Sequence, residues 1–174
     1  MFYTANTVSP STGYLRNCMD KAMTQKLLED LKHPDPNVRD YATQEFWRAW
    51  FEQKGVLGLE VIRRAQMLVE MGDQSGAESI LTQLVETQPD FAEAWNRRAV
   101  LYYIMGHYRK AIADCEQVIA LNPIHFGALH GLGLCYSALG EYRMALQAFN
   151  RVLEIQPHSI ENQRWLLECM AKLT

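Results

Sequence analysis

Apolar positions recur along this chain at two scales. Locally they return every three or four residues: Ala92, Trp95, Ala99 and Tyr102 form one such set, and Ala111, Cys115, Val118 and Ile119 another. Each set falls on one face of a helix. Over a longer range the whole pattern returns after 34 residues. Pro89, Pro123 and Pro157 keep that interval, as do Gly72, Gly106 and Gly140, and Ala77, Ala111 and Ala145. Tyr102 with Tyr136, Tyr108 with Tyr142, and Arg63-Arg64-Ala65 with Arg97-Arg98-Ala99 keep it too. A period of this length predicts a stack of supersecondary units rather than one globular core.

Each unit reads as two helices. In the middle unit the first is predicted over about Ala92 to Met105 and ends at Gly106, since glycine accepts the left-handed conformation at a helix C-terminus. The second runs from about Tyr108 to Leu121 and stops at Pro123, which has no amide to donate. The link is one or two residues, so the helices must be antiparallel neighbours. Small residues at Ala99, Gly133, Ala111 and Ala145 let the backbones approach.

The order Trp/Leu, Leu-Gly/Ala, Tyr, Gly, Tyr, Ala, Phe, Pro resembles the tetratricopeptide repeat. The third unit carries it through Leu129, Leu132, Gly133, Tyr136, Gly140, Tyr142, Ala145, Phe149 and Pro157. The second does so through Trp95, Ala99, Tyr102, Gly106, Tyr108, Ala111 and Pro123, and the first more weakly through Ala65, Leu68, Gly72, Ala77, Leu81 and Pro89. The resemblance implies an all-α, right-handed superhelical solenoid of antiparallel helix pairs, with repeats at 58–91, 92–125 and 126–158. The chain as a whole is similar to small tetratricopeptide proteins of cyanobacteria, plastids and other bacteria, which bears on localisation: cytoplasm, with plastid stroma as the alternative.

Both ends extend the array. Ser159 is placed to cap a closing helix over about Ile160 to Leu173, with Ile160, Trp165, Leu166, Cys169 and Leu173 toward the third repeat and Gln163, Arg164, Glu168 and Lys172 toward water. At the other end, Met23, Leu27, Leu28 and Leu31 predict a helix from Met19 to Lys32, broken by His33-Pro34-Asp35-Pro36. Asp35 or Asn37 then caps a second helix, about Val38 to Lys54. This hairpin, spanning 18–57, resembles a HEAT-type unit. Its second helix carries Tyr41, Phe46, Trp47, Trp50 and Phe51, five of the 18 aromatic residues, so its apolar girth exceeds one stripe and it should pack on more than one side. Two placements fit. The hairpin covers the first repeat as a cap, or it leaves Trp47 and Phe51 open to a partner or a second copy. Residues 1–17, rich in Thr, Ser and Asn, read as a flexible tail with no secretory signal.

Composition narrows the function. The net charge of the 174 residues is −3, and residues 58–157 hold eight basic and eleven acidic side chains, so a phosphate-tracking nucleic-acid groove is not expected. No apolar run approaches the length of a membrane span. Cys18, Cys115, Cys135 and Cys169 form no CxxC pair, and the five histidines lack ligand spacing. Cys115 and Cys135 fall in the repeat register on core positions. No phosphate loop, nucleophile elbow or His-Glu-x-x-His occurs, so no enzyme, cofactor or metal is expected.

What remains is protein recognition. The resemblance places the first helix of each repeat on the concave face. Helical projection turns Leu59, Ile62, Arg63 and Gln66 into that groove, then Glu93, Asn96, Arg97, Val100 and Tyr103, then Gly127, His130, Leu134 and Ser137. A peptide or helical segment of a partner protein is the expected occupant, with an assembly factor as the broader role. Relatives that clamp chaperone C-termini use Lys, Asn, Asn, Lys and Arg where this chain has Ile62, Gln66, Arg97, Gly127 and Gly131, so no Glu-Glu-Val-Asp tail should bind. The alternative is a homo-oligomer formed through the aromatic hairpin or the open solenoid ends. Arg64 and Arg98 stand where the family has apolar residues; Glu78 or Asp114 is the expected partner of such an arginine. On the sequence alone, Arg98→Leu should keep or raise the melting temperature.

Overall fold

The computed structural model describes residues 20–174. The expected tail at 1–17 and Cys18 lie outside them. Among the described residues all regular structure is helical, in nine elements. The N-terminal hairpin is α1 (Lys21–Asp30) and α2 (Pro36–Phe51). Three helix pairs follow: α3 (Gly55–Glu70) with α4 (Gln74–Thr87), α5 (Ala92–Ile104) with α6 (Tyr108–Leu121), and α7 (Phe126–Ala138) with α8 (Tyr142–Ile155). The last helix is α9 (Ile160–Ala171).

Local chemistry sets these boundaries. Asp35, rather than Asn37, caps α2, accepting from the Asn37 amide at 2.9 Å, with Pro36 in the first turn where its missing amide costs nothing. Ser159 caps α9 as expected. Gly72, Gly106 and Gly140 have φ of 83°, 73° and 75° and follow α3, α5 and α7. Past each glycine an amide reaches back into the helix: Asp73 to the Leu68 carbonyl, His107 to Tyr102 and Glu141 to Tyr136, at 2.8, 2.8 and 2.9 Å. The 34-residue glycine period is thus a repeated helix-closing motif.

Each helix packs on the next along the chain from α3 to α9. First helices also touch in succession, α3 with α5 and α5 with α7, which makes them the inner layer of the solenoid. The core runs through the stack. Ala99, Ala111, Cys115, Cys135, Ala145 and Phe149 form its largest cluster, and Ala65, Ala77, Leu81 and Leu101 a smaller one. The expected close approach occurs at Gly133, where a Cβ would lie 2.6 Å from the Phe149 ring. Cys115, Cys135 and Cys169 are buried thiols, and burial pushes Cys135 up to about 11, so it stays protonated and inert at neutral pH.

Two expectations about the ends need correction. Trp165, Leu166 and Cys169 do pack on the third repeat, but Ile160 and Leu173 are exposed: Ile160 opens α9 on its outer side, and Leu173 lies beyond its last turn. The N-terminal hairpin does not sit over the end of the stack. Gly55, at φ 65°, joins α2 to α3 after only three linking residues, and α2 runs back along the side of the array.

Candidate functional site: the inner face of the array

The course of α2 is fixed by contacts at the three turns that link one helix pair to the next. Gln156, after α8, donates to the Thr43 hydroxyl at 3.3 Å. At the middle turn, Trp50 stacks on His125 with 4.1 Å between centroids, and Trp47 meets Phe126 edge-on at 5.4 Å. At the first turn, Gln53 donates to the Asp90 carbonyl at 3.0 Å and Lys54 pairs with the Asp90 carboxylate at 2.5 Å. That hydrogen bond from Lys54 holds the Asp90 carboxyl below its usual range. The apolar seat is Phe46 and Trp50 of α2, with Leu27 of α1 and Leu31 just past its end, against Phe126, Leu129 and Val152. The helix therefore lies across the N-terminal ends of α5 and α7, at the mouth of the inner face.

Under this seat lies a closed polar network. Glu93 and His125 are both fully buried. The Ala128 amide donates to His125 Nδ1 at 3.1 Å, capping α7, so the ring proton resides on Nε2 and points to Glu93 Oε2 at 3.1 Å. The Glu93 carboxylate also accepts from Asn96 Nδ2 at 3.2 Å and from Arg97 Nε at 2.6 Å. The Arg97 guanidinium in turn lies 4.5 Å over the Phe51 ring. Every donor facing the carboxylate is thus matched, as a charge out of water requires. Gly127 completes the arrangement: a Cβ there would lie 2.4 Å from Trp47.

These contacts redistribute the residues expected in the groove. Trp47 and Phe51 are half-buried against the chain's own repeats, so they are not an open second surface. Glu93 and Asn96 are buried, and Gly127 lies beneath Trp47. Ile62 is buried with Leu84, Val85, Phe91 and Ala94. His130 is engaged with the closing helix α9, its Nδ1 at 2.8 Å from Asn162 Oδ1. What stays open is the stretch nearer the C-terminal ends of the first helices. Arg63, Gln66 and Val100 are exposed there, with Arg97, Tyr103, Leu134 and Ser137 half-buried. Between α3 and α5 this stretch holds a cleft of about 200 Å³, floored by Ile62, Ala65 and Leu101 and edged by Gln66, Arg97, Val100 and Ile104. Sequence reasoning missed the pairing of Glu93 with His125 and the seat at Trp50 and Phe126. The repeat register carried a signal: His125 stands one period after Phe91, a core residue.

Arg98 is held as expected, by one of the two candidate acids. Its Nε and Nη2 donate to Asp114 Oδ2 and Oδ1 at 2.8 and 2.9 Å, and its charged form is stabilised by that bond. The expected effect of removing it changes sign, because Asp114 is itself buried. Arg98→Leu strands a carboxylate and should lower stability by about 3 kcal/mol in urea denaturation, whereas Arg98→Leu with Asp114→Leu should recover most of that loss. Arg64 has no such acid: the counterpart of Asp114 in the first repeat is Ile80.

Among the described residues no group of three or more His, Cys, Asp or Glu could hold a metal ion, and no helix is long and apolar enough to cross a membrane. Among the described residues the arrangement offers helix-lined surface and no reactive constellation.

Comparison with known proteins agrees with this architecture. Residues 92–125 and 127–159 match the tetratricopeptide repeat. A tetratricopeptide repeat-containing protein of Rhizobium etli is 33% identical over 100 residues, covering 57% of this chain. The chain spans about half the length of that curated relative, 49%. Among solved structures, the first such domain of Spaghetti (RPAP3), bound to an HSP90 peptide, superposes with a TM-score of 0.64 at 23% identity, over 66% of this chain and 91% of that one. A domain of yeast Sti1 in complex with an Hsp70 peptide gives 0.60 at 20%, over 65% and 95%. The MamA protein gives 0.62 at 20% over 86% of this chain and 82% of that one, a share larger than the array alone supplies. With its 34-residue period, its glycine-closed first helices and two matched repeats, the chain is an all-α solenoid of antiparallel helix pairs consistent with the tetratricopeptide fold.

Proposed function

We propose that the protein is a non-catalytic scaffold that holds a segment of a partner protein on the open part of its inner face. The observation that carries this reading is the division of that face. One part already accepts an amphipathic helix, α2, through aromatic anchors. The remainder leaves Val100 and Ile104 exposed at the edge of a cleft that Gln66 and Arg97 also border. Exposed apolar side chains over a concavity edged by Gln66 and Arg97 suit a segment with one or two apolar anchors and an acidic group. The peptide complexes of Spaghetti and Sti1 show what the fold allows and lend support. Their type of ligand does not fit this chain. Of the five clamp positions, Ile62 is buried, Gly127 is covered by Trp47 and Gly131 has no donor side chain. Participation in building a larger complex is the broader role this reading favours.

A photo-reactive residue at Val100 should crosslink the partner in the native cell, and mass spectrometry of the adduct should identify the segment. That segment, made as a peptide, should bind the purified chain. Val100→Glu should weaken it about tenfold or more, equivalent to about 1.4 kcal/mol. Leu121→Glu, an exposed site at the end of α6, should leave affinity unchanged. A peptide ending in Glu-Glu-Val-Asp should show no saturable binding. Tight binding of that peptide, or insensitivity to Val100→Glu, would overturn the proposal. Self-association, the second reading, is favoured by a different observation, on a separate face of α3 at the start of the array.

A further inference from the structure

Tetratricopeptide arrays bury one side of every first helix beneath the second helix of the preceding repeat. In α5 this side includes Ala94, Arg98 and Leu101, and in α7 Ala128, Leu132 and Cys135, following the buried Phe91 and His125. One period earlier the same register falls on Leu57, Glu60, Arg64 and Met67, with Met71 one turn further. Among the described residues nothing precedes α3 there, because the hairpin that could have covered it lies along the side of the stack. Leu57 is consequently 76% exposed, Met67 54% and Met71 81%. Glu60 and Arg64 sit in the middle of this apolar stripe with no hydrogen bond or ion pair among the described residues, and Ile80 stands where an acid would answer Arg64.

The order along the stripe is its most informative property. Leu57, Glu60, Arg64 and Met67 are spaced three, four and three residues apart, a palindromic spacing on one helical face. Read antiparallel, apolar, acid, base, apolar becomes apolar, base, acid, apolar. Set against itself with Leu57 opposite Met67 of a second copy, the helix places Glu60 opposite the second copy's Arg64, and twofold symmetry makes the same pair again. We propose that two copies of the chain associate through antiparallel α3 helices about an axis midway between Glu60 and Arg64. Such an isologous contact closes on itself and stops at a dimer. It needs neither the cleft between α3 and α5 nor any partner seated there, so it stands apart from the scaffold reading. One helix face per copy falls at the small end of specific interfaces, so the dimer should dissociate on dilution. The exposed Leu167 and Met170 of α9 are the competing surface; their use would give head-to-tail chains instead.

Sedimentation velocity of the full chain over a concentration series should show a monomer–dimer equilibrium without larger species. Glu60→Arg and Arg64→Glu each set like charges opposite one another twice, and each should weaken dimerisation about tenfold or more. The doubly reversed variant, Glu60→Arg with Arg64→Glu, restores opposite charges in the same register and should dimerise close to the unaltered chain. Leu57→Asp should leave only monomer. These side chains are exposed, so helicity and melting temperature serve as controls and should not move. A chain that stays monomeric at every concentration overturns the proposal. So does a ladder of oligomers abolished by Leu167→Asp, or a double variant no better than either single one.

Discussion

Trp50→Ala is expected to lower the unfolding free energy by about 3–5 kcal/mol, the range for emptying a large aromatic site in a closed core. The indole is nearly buried, stacks on His125, and lies within 4.7 Å of the Phe126 centroid and 5.5 Å of that of Phe46. None of those partners can collapse far, since Phe46 and His125 are each held by other contacts. The loss should be uneven. Hydrogen exchange should speed up in α1 and α2, which attach through this seat, while α6 to α8 keep their protection, because a stack couples mainly nearest neighbours. Tyr41→Ala, on the exposed side of the same helix, should cost no more than about 0.5 kcal/mol. Equal costs at the two sites would show that the aromatic face does not hold the hairpin.

A comparable loss is expected from Glu93→Ala, about 3–5 kcal/mol, for a different reason. Removing the carboxylate leaves the Nε2–H of His125 and the amide of Asn96 facing a dry cavity without an acceptor, and Arg97 without its buried counter-charge. Glu93→Gln keeps the shape and one acceptor oxygen but forfeits the charge, so it should cost less, about 1.5–3 kcal/mol. The double variant Glu93→Leu with His125→Phe removes both needs at once and should recover most of the loss, as replacement of a buried pair by apolar side chains often does. Phe91, one period before His125, shows that an aromatic ring fits that register. Urea denaturation of the three variants measures the order. A Glu93→Ala variant as stable as the parent chain would mean that water reaches the network.

These two sites mark where reading the sequence stopped short. The 34-residue period, the helix pairs, the closing glycines and the buried cysteines could be read directly, because each depends on neighbours within one or two repeats. Asp114 as the partner of Arg98 was legible for the same reason: it lies on the second helix of the same pair. The inner face was legible only as a face. Projection along single helices named Glu93, Asn96, Arg97, Val100 and Tyr103 alike, and could not tell that a helix more than 40 residues earlier in the chain would close over the first of them. The aromatic girth of α2 announced that it would be covered on more than one side, without naming the cover.

Sequence alone therefore determined the repeat, its helices and the order of the stack, since a periodic array is built from local contacts that a period reveals. Tertiary structure decided where the N-terminal hairpin lies, which part of the inner face stays open and that no other described residue covers the outer stripe of α3. Those outcomes rest on contacts such as Gln156 with Thr43, 113 residues apart, which follow no period. A non-local contact depends on how the whole array curves and where Gly55 turns the chain, and no spacing along the sequence encodes it.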